Sequence, residues 1–140
     1  MSESQRRDFD EIVEGEQLPV VEFALPIYRL VMEAGANRDF NSIHHNSRYA
    51  RATGAPDIYA NTLFLQGMWE RTVRDWAGPR AFIRAIRGFR MGRFNVAGCT
   101  PRVIGIVKHI EREDRMVTIA LHTEDDHGIT VGPGEVDVLF

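Results

Sequence analysis

The chain has 140 residues, 44% of them hydrophobic and 26% charged, with a net charge of −3. This is the balance of one ordinary globular domain, and its charge gives a nucleic-acid-binding role no support. Its apolar runs fall short of the roughly 20 residues that cross a bilayer, and the first 17 residues lack an apolar core like that of a signal peptide. Cys99 is the only cysteine, which excludes an internal disulfide and suits a reducing cytoplasm.

Residues 1–15 are polar, charged and aperiodic, and are expected to form a flexible arm before a domain at residues 16–140. Residues 17–25 hold a short apolar run that reads as a strand. Pro26 suits the first turn of a helix, with Ile27, Leu30, Val31 and Ala34 at helical spacing and Gly35 as its stop. A bend then carries Asp39 to His44, and residues 45–52 read as a second short helix. Asn61 or Thr62 is the expected N-cap of a long helix whose apolar face is Leu63, Phe64, Gly67, Met68, Thr72, Val73 and Trp76; Gly78-Pro79 ends it. Trp69 and Trp76 lie on nearly one face, for core or interface packing. Four strands are predicted at residues 82–94, 100–111, 115–124 and 129–140, each bounded by turn residues. One long helix followed by consecutive strands predicts an α+β domain with an antiparallel sheet.

Chemistry concentrates in Asn37-Arg38-Asp39-Phe40-Asn41-Ser42-Ile43-His44-His45. A carboxylate and an imidazole five residues apart on a bend are suited to hold and deprotonate a water near neutral pH. Other chemistries lack their signatures. No Gly-rich phosphate loop and no Gly-x-Ser-x-Gly elbow occurs, and the five histidines show no metal-ligand spacing, so no metal is expected. Residues 80–93 carry Arg80, Arg84, Arg87, Arg90 and Arg93, while Lys108 is the only lysine. On one strand Arg84 and Arg90 would share a face, either gripping phosphates or forming a solvated face with ion pairs.

Asp39, Asn41, Ile43, His44 and Ala50 match a motif that reads roughly Gly-Asp-x-Asn-Pro-aliphatic-His followed by a small residue. With the helix order and the closing segment at residues 134–139, this chain resembles the MaoC-like (R)-specific enoyl-CoA hydratase family. Arg38 stands where glycine is usual, and Ser42 where proline is. The resemblance covers residues 18–139 and implies a hotdog fold, an antiparallel sheet wrapped around the long helix. It also implies an enzyme, a lyase adding water to a 2-enoyl-CoA, with no cofactor beyond the coenzyme A of its substrate.

On that reading Asp39 and His44 are catalytic, and Asn41 orients the bend or the water. Asn61 and Thr62 stand where relatives have His-Gly, and supply a backbone N–H for the thioester oxygen. Arg84 and Arg90 are candidates for the coenzyme A phosphates. Both catalytic residues sit on a bend, so their replacement is expected to leave folding little affected. Asp57-Ile58-Tyr59-Ala60-Asn61-Thr62 and Asp75-Trp76-Ala77-Gly78-Pro79 are similar to a narrower subgroup, the small MaoC-like subunits of actinobacterial steroid side-chain hydratases. That similarity implies an acyl-CoA substrate, degradation of a bulky acyl group, and a homodimer or a heteromer with a second hotdog subunit. The competing readings are a non-catalytic hotdog subunit completing a partner's acyl-CoA site, and a general (R)-enoyl-CoA hydratase, dehydratase or thioesterase on the same fold.

Overall fold

A computed structural model describes residues 7–140. Its elements in chain order are β1 (Val21–Glu22), α1 (Ile27–Ala36), α2 (Ser47–Ala52), α3 (Thr62–Ala77), β2 (Phe82–Arg87), β3 (Arg102–Glu111), β4 (Met116–Asp125) and β5 (Gly128–Leu139), with 3-10 turns at Phe9–Glu11 and Ser42–His44. The five strands form one antiparallel sheet in the order β1-β3-β4-β5-β2. The sheet curls around α3 as a hotdog fold.

The core lies between that helix and the inner face of the sheet. Along β4, alternate residues Val117, Ile119, Leu121 and Thr123 are buried, as a pleat with one covered face requires. On α3 the buried stripe is Leu65, Met68, Trp69, Thr72, Val73 and Trp76. Trp69 is fully buried, and its indole N–H donates to Thr123 Oγ1 at 2.8 Å, satisfying the polar end of a large apolar side chain. Both tryptophans therefore belong to the core and lend no apolar surface for association.

Several expectations need correction. The helix stripe was placed too far round: Leu63 and Gly67 lie on the outer face, Leu63 with 57% exposure. The predicted strand at residues 82–94 ends at Arg87, because the chain turns at Gly88 (φ +65) against the backbone of Gly134. Arg84 and Arg90 consequently do not share a strand face. Finally, the arm expected over residues 1–15 is packed where it is described: Phe9 and Ile12 are buried in the core, and the Gly15 N–H donates to Val107 O at 2.8 Å. Residues 1–6 lie outside the described part. The strand expected at residues 17–25 is regular only at Val21–Glu22, although Leu18, Phe23 and Leu25 also donate backbone N–H groups along the neighbouring segment 99–105. No helix among the described residues is long and apolar enough to cross a membrane.

Candidate active site

The bend between α1 and α2 is built by local hydrogen bonds. Asn37 caps the C-terminus of α1, its N–H donating to Glu33 O. Arg38 then takes a left-handed conformation, φ +57, which for a residue with a Cβ costs about 1 kcal/mol. This is the position where the motif usually has glycine, and the backbone shows why. The Asp39 N–H donates back to Ala34 O at 2.8 Å, and the Asn41 side chain caps the following 3-10 turn by accepting from the Ile43 N–H at 3.2 Å. The Asn41 side chain thus caps the turn that carries His44.

The bend brings Asp39 and His44 together, with Asp39 Oδ2 at 3.0 Å from His44 Nε2. His44 is buried, and its Nδ1 lies 2.7 Å from Tyr59 O. A carbonyl only accepts, so Nδ1 carries a hydrogen. In a neutral ring Nε2 is then a lone pair facing a carboxylate oxygen. At 3.0 Å the two atoms stand at hydrogen-bonding distance, so a proton can pass between carboxyl and imidazole. The Asp39 carboxyl is 38% exposed and reachable by water, against 5% for the imidazole. Its other oxygen is 3.5 Å from the Asn41 N–H.

Tyr59 was not anticipated as a site residue. Its ring meets His44 edge-on at 5.3 Å and packs on Phe94 at 4.6 Å. Burial raises its phenol above the usual tyrosine range, with the Asp39 carboxylate adding to the effect, so it stays protonated beside the pair. No spacing rule marks such a residue; only its place within the hexapeptide at residues 57–62 hinted at it.

Two residues later α3 begins. Asn61 is its N-cap and is buried; Oδ1 accepts from the Phe64 N–H at 2.8 Å and from Asn37 Nδ2 at 3.3 Å. The N–H groups of Thr62 and Leu63 have no acceptor among the described residues. Unsatisfied donors at the positive end of a 16-residue helix suit an anionic oxygen. Thr62 thus presents a free backbone N–H with that of Leu63 beside it, and the Asn61 side chain serves as cap.

The two arginines lie apart from this centre. Arg84 Nη1 is 3.8 Å from Met116 Sδ. The neighbouring Arg115 O receives the N–H of Phe140, whose ring packs on Trp76 at the far end of α3. Sixteen residues of helix rise about 24 Å, so Arg84 sits at the opposite end from Asp39. Arg90 is exposed on the segment after Gly88. Arg87 and Arg93 are held by carboxylates, Arg87 by Asp137 and Glu135 and Arg93 by Asp125. Among the described residues no three His, Cys, Asp or Glu side chains converge. A groove of 370 Å³ lies between α1 and α3, with Asn37 and Leu63 in its lining.

No family model matches the chain. A curated relative, the 3-oxo-4,17-pregnadiene-20-carboxyl-CoA hydratase beta subunit of Mycobacterium tuberculosis, is 46% identical over 63 residues, covering 45% of this chain and 48% of the relative. The match thus spans about half the length of that relative. The solved ChsH1-ChsH2 complex from Mycobacterium tuberculosis contains a chain with a TM-score of 0.85 and 32% identity, over 91% of this chain and 98% of that one. A solved MaoC-like dehydratase has a TM-score of 0.89 at 22% identity, over 96% of this chain and 42% of that one; at that identity the likeness shows the fold.

Proposed function

This chain belongs to the MaoC-like hydratase family, and from that premise we propose that it adds water to a 2-enoyl-CoA whose acyl group carries a fused ring system. The observation that carries the reading is the Asp39–His44 contact at 3.0 Å, with the imidazole tautomer fixed by Tyr59 O. Hydration needs water oxygen at C3, a proton at C2 and stabilised negative charge on the thioester oxygen. A water on the open side of Asp39 attacks C3 while the π electrons move through C2 onto that oxygen. The proton between Asp39 and His44 passes to C2, and the attacking water returns one to the pair. The net change is one O–H bond and the C2=C3 π bond broken, and one C–O and one C–H bond formed. The Thr62 and Leu63 N–H groups hold the oxygen, as donors that strengthen with developing charge.

The relative's printed substrate has double bonds at 4 and 17, a carboxyl on carbon 20 and a ketone at 3. The bond conjugated to the thioester therefore ends on a ring carbon, and water addition there gives a tertiary alcohol. We carry over this substrate class, with no cofactor beyond coenzyme A and a cytoplasmic site of action. We also carry over an assembly with a second hotdog subunit, since the 32%-identical structure is a complex of two named chains. The rival reading, a non-catalytic subunit, is disfavoured because Asp39 and His44 are present and in contact.

The test is water addition to a steroid enoyl-CoA and to crotonyl-CoA, by the chain alone and co-expressed with a second hotdog subunit. The expected result is an (R)-type or equivalent tertiary 3-hydroxyacyl product and a clear preference for the ring-bearing thioester. Equal or better use of crotonyl-CoA would leave a general hydratase. No hydration in either form would leave the non-catalytic subunit.

A further inference from the structure

We infer that the groove between α1 and α3 receives the fused-ring part of the acyl group, an inference that rests on the hydratase reading above. Its lining includes Phe23, Asn37, Leu63, Phe64, Gly67 and Arg71, and 370 Å³ falls within the range of about 300–1,000 Å³ typical of small-molecule sites. Two of its lining residues, Asn37 and Leu63, connect the groove to the catalytic centre. Asn37 lies two residues before Asp39 and donates to the α3 cap Asn61, and Leu63 carries one of the two free N–H groups. A thioester oxygen resting on those donors leaves the acyl group at the mouth of the groove.

Gly67 is the most telling residue in it. Glycine inside a helix costs about 1 kcal/mol relative to alanine, and close packing normally explains it. Here an added Cβ would meet nothing within 4 Å. No neighbour requires the missing side chain, so what Gly67 supplies is open space in the groove. The apolar neighbour Leu63 is 57% exposed and Phe64 is only partly buried against the core, a cost that a bound apolar group offsets.

Arg71 marks the far end. From Thr62 to Arg71 the helix rises about 13 Å. The Arg71 Nε–H is used by Asp75 Oδ2 at 2.6 Å, and its terminal nitrogens have no acceptor among the described residues. In a fused-ring acyl group joined to the thioester at one end, a ketone on the terminal ring at the other end is the acceptor those nitrogens would meet.

The experiment is a graded series, Gly67→Ala and Gly67→Leu, with Arg71→Leu alongside, in the protein together with any second subunit it requires. The readout is the ratio of kcat/KM for a 3-oxo ring-bearing enoyl-CoA over that for crotonyl-CoA. The ratio should fall from wild type through Ala to Leu, by at least about tenfold at Leu, the scale on which filling an apolar pocket discriminates bulk. Thermal stability should not fall, since the new side chain meets no neighbour. Arg71→Leu should raise KM for the 3-oxo thioester more than for the same thioester without the ketone. A parallel fall on both substrates, or none, overturns the inference, as does loss of the second subunit on size exclusion, which would make the groove an interface. Calorimetric titration with a saturated 3-oxo ring-bearing acyl-CoA decides it without turnover: binding lost in Gly67→Leu upholds the groove, and unchanged binding overturns it. If wild type hydrates neither substrate, the hydratase reading fails while that titration still decides the groove.

Discussion

Replacing Asp39 by Asn alters the proton chemistry of the pair and little else. The side chain is part-exposed and on a bend whose hydrogen bonds run through the backbone of residue 39 and the side chain of Asn41. An amide N–H in place of Oδ2 can donate to the His44 Nε2 lone pair, so the folded geometry survives with the mobile proton removed. Stability should stay within about 0.5 kcal/mol of wild type. Turnover should drop by at least about a hundredfold, or about 2.7 kcal/mol of barrier. His44→Ala behaves differently, and here the expectation of an unaffected fold is corrected. His44 is buried, its ring packs on Tyr59 and its Nδ1–H is bonded to Tyr59 O. Removing it leaves that carbonyl unpaired, at about 1–3 kcal/mol, and loses an aromatic contact of about 1 kcal/mol. The sum, roughly 2–4 kcal/mol, corresponds to a Tm lower by about 10 °C in a domain of this size. The assay is hydration of enoyl-CoA by purified protein beside thermal unfolding of each variant. Asp39→Asn retaining a large part of wild-type turnover while folded would refute the role given to the pair.

Stability should also depend on acid through Asp137. This buried carboxylate accepts from Arg87, chiefly, and from Thr118 Oγ1 at 2.9 Å, which holds it below the usual carboxylate range. A depressed folded-state value stabilises the fold above the unfolded value near 3.8 and is lost as pH falls through the folded one. Denaturant unfolding from pH 6 downward should therefore show Asp137→Asn less stable by about 1–2 kcal/mol at neutral pH and converging on wild type in acid; a constant gap would contradict this. Gly134→Ala should destabilise by about 2–3 kcal/mol, because its Cβ would stand 2.3 Å from Arg87 O and 2.9 Å from Gly88 C, where only backbone is available to yield. A wild-type unfolding midpoint for Gly134→Ala would show that the β2–β5 crossing relaxes freely.

What was legible in the sequence is what local physics writes there. Pro26 and Gly78 punctuate helices through their own backbone geometry, and Asn61 caps α3 with its own side chain. The alternation along β4 reports directly which face is covered. The misreadings share a cause, in that they depend on approach between distant segments. The strand from Phe82 stops because Gly134, far along the chain, lies against Gly88. Phe9 and Ile12 look like part of a polar arm until β3 and Phe140 are there to pack against. Leu63 and Gly67 read as core because helical spacing alone does not say which stripe the sheet covers. At the site, the Asp39–His44 spacing was readable. Tyr59 and Asn37 were not, since their contacts cross 15 and 24 residues of chain.

Those two contacts also explain how a bend, the least rigid kind of element, can hold Asp39 and His44 in place. His44 donates to Tyr59 O, and Asn37 donates to Asn61 Oδ1. Both ends of the bend are thus referenced to residues 59–61, the stretch that delivers the backbone into α3, with Ala60 buried between them. The Asp39–His44 pair and the free N–H groups of Thr62 and Leu63 therefore share one short piece of chain as their common origin. An enoyl thioester needs this, because its C3 and its carbonyl oxygen lie at a separation set by covalent bonds, and an error of about 1 Å in such an arrangement costs on the order of a hundredfold in rate. The two departures from the family motif fit the same account. Arg38 absorbs a left-handed turn, and Ser42 opens a 3-10 turn already capped by Asn41. Neither supplies a tie to residues 59–61, so the chain can depart from the motif at both positions while the distance between the Asp39–His44 pair and the Thr62 N–H is kept.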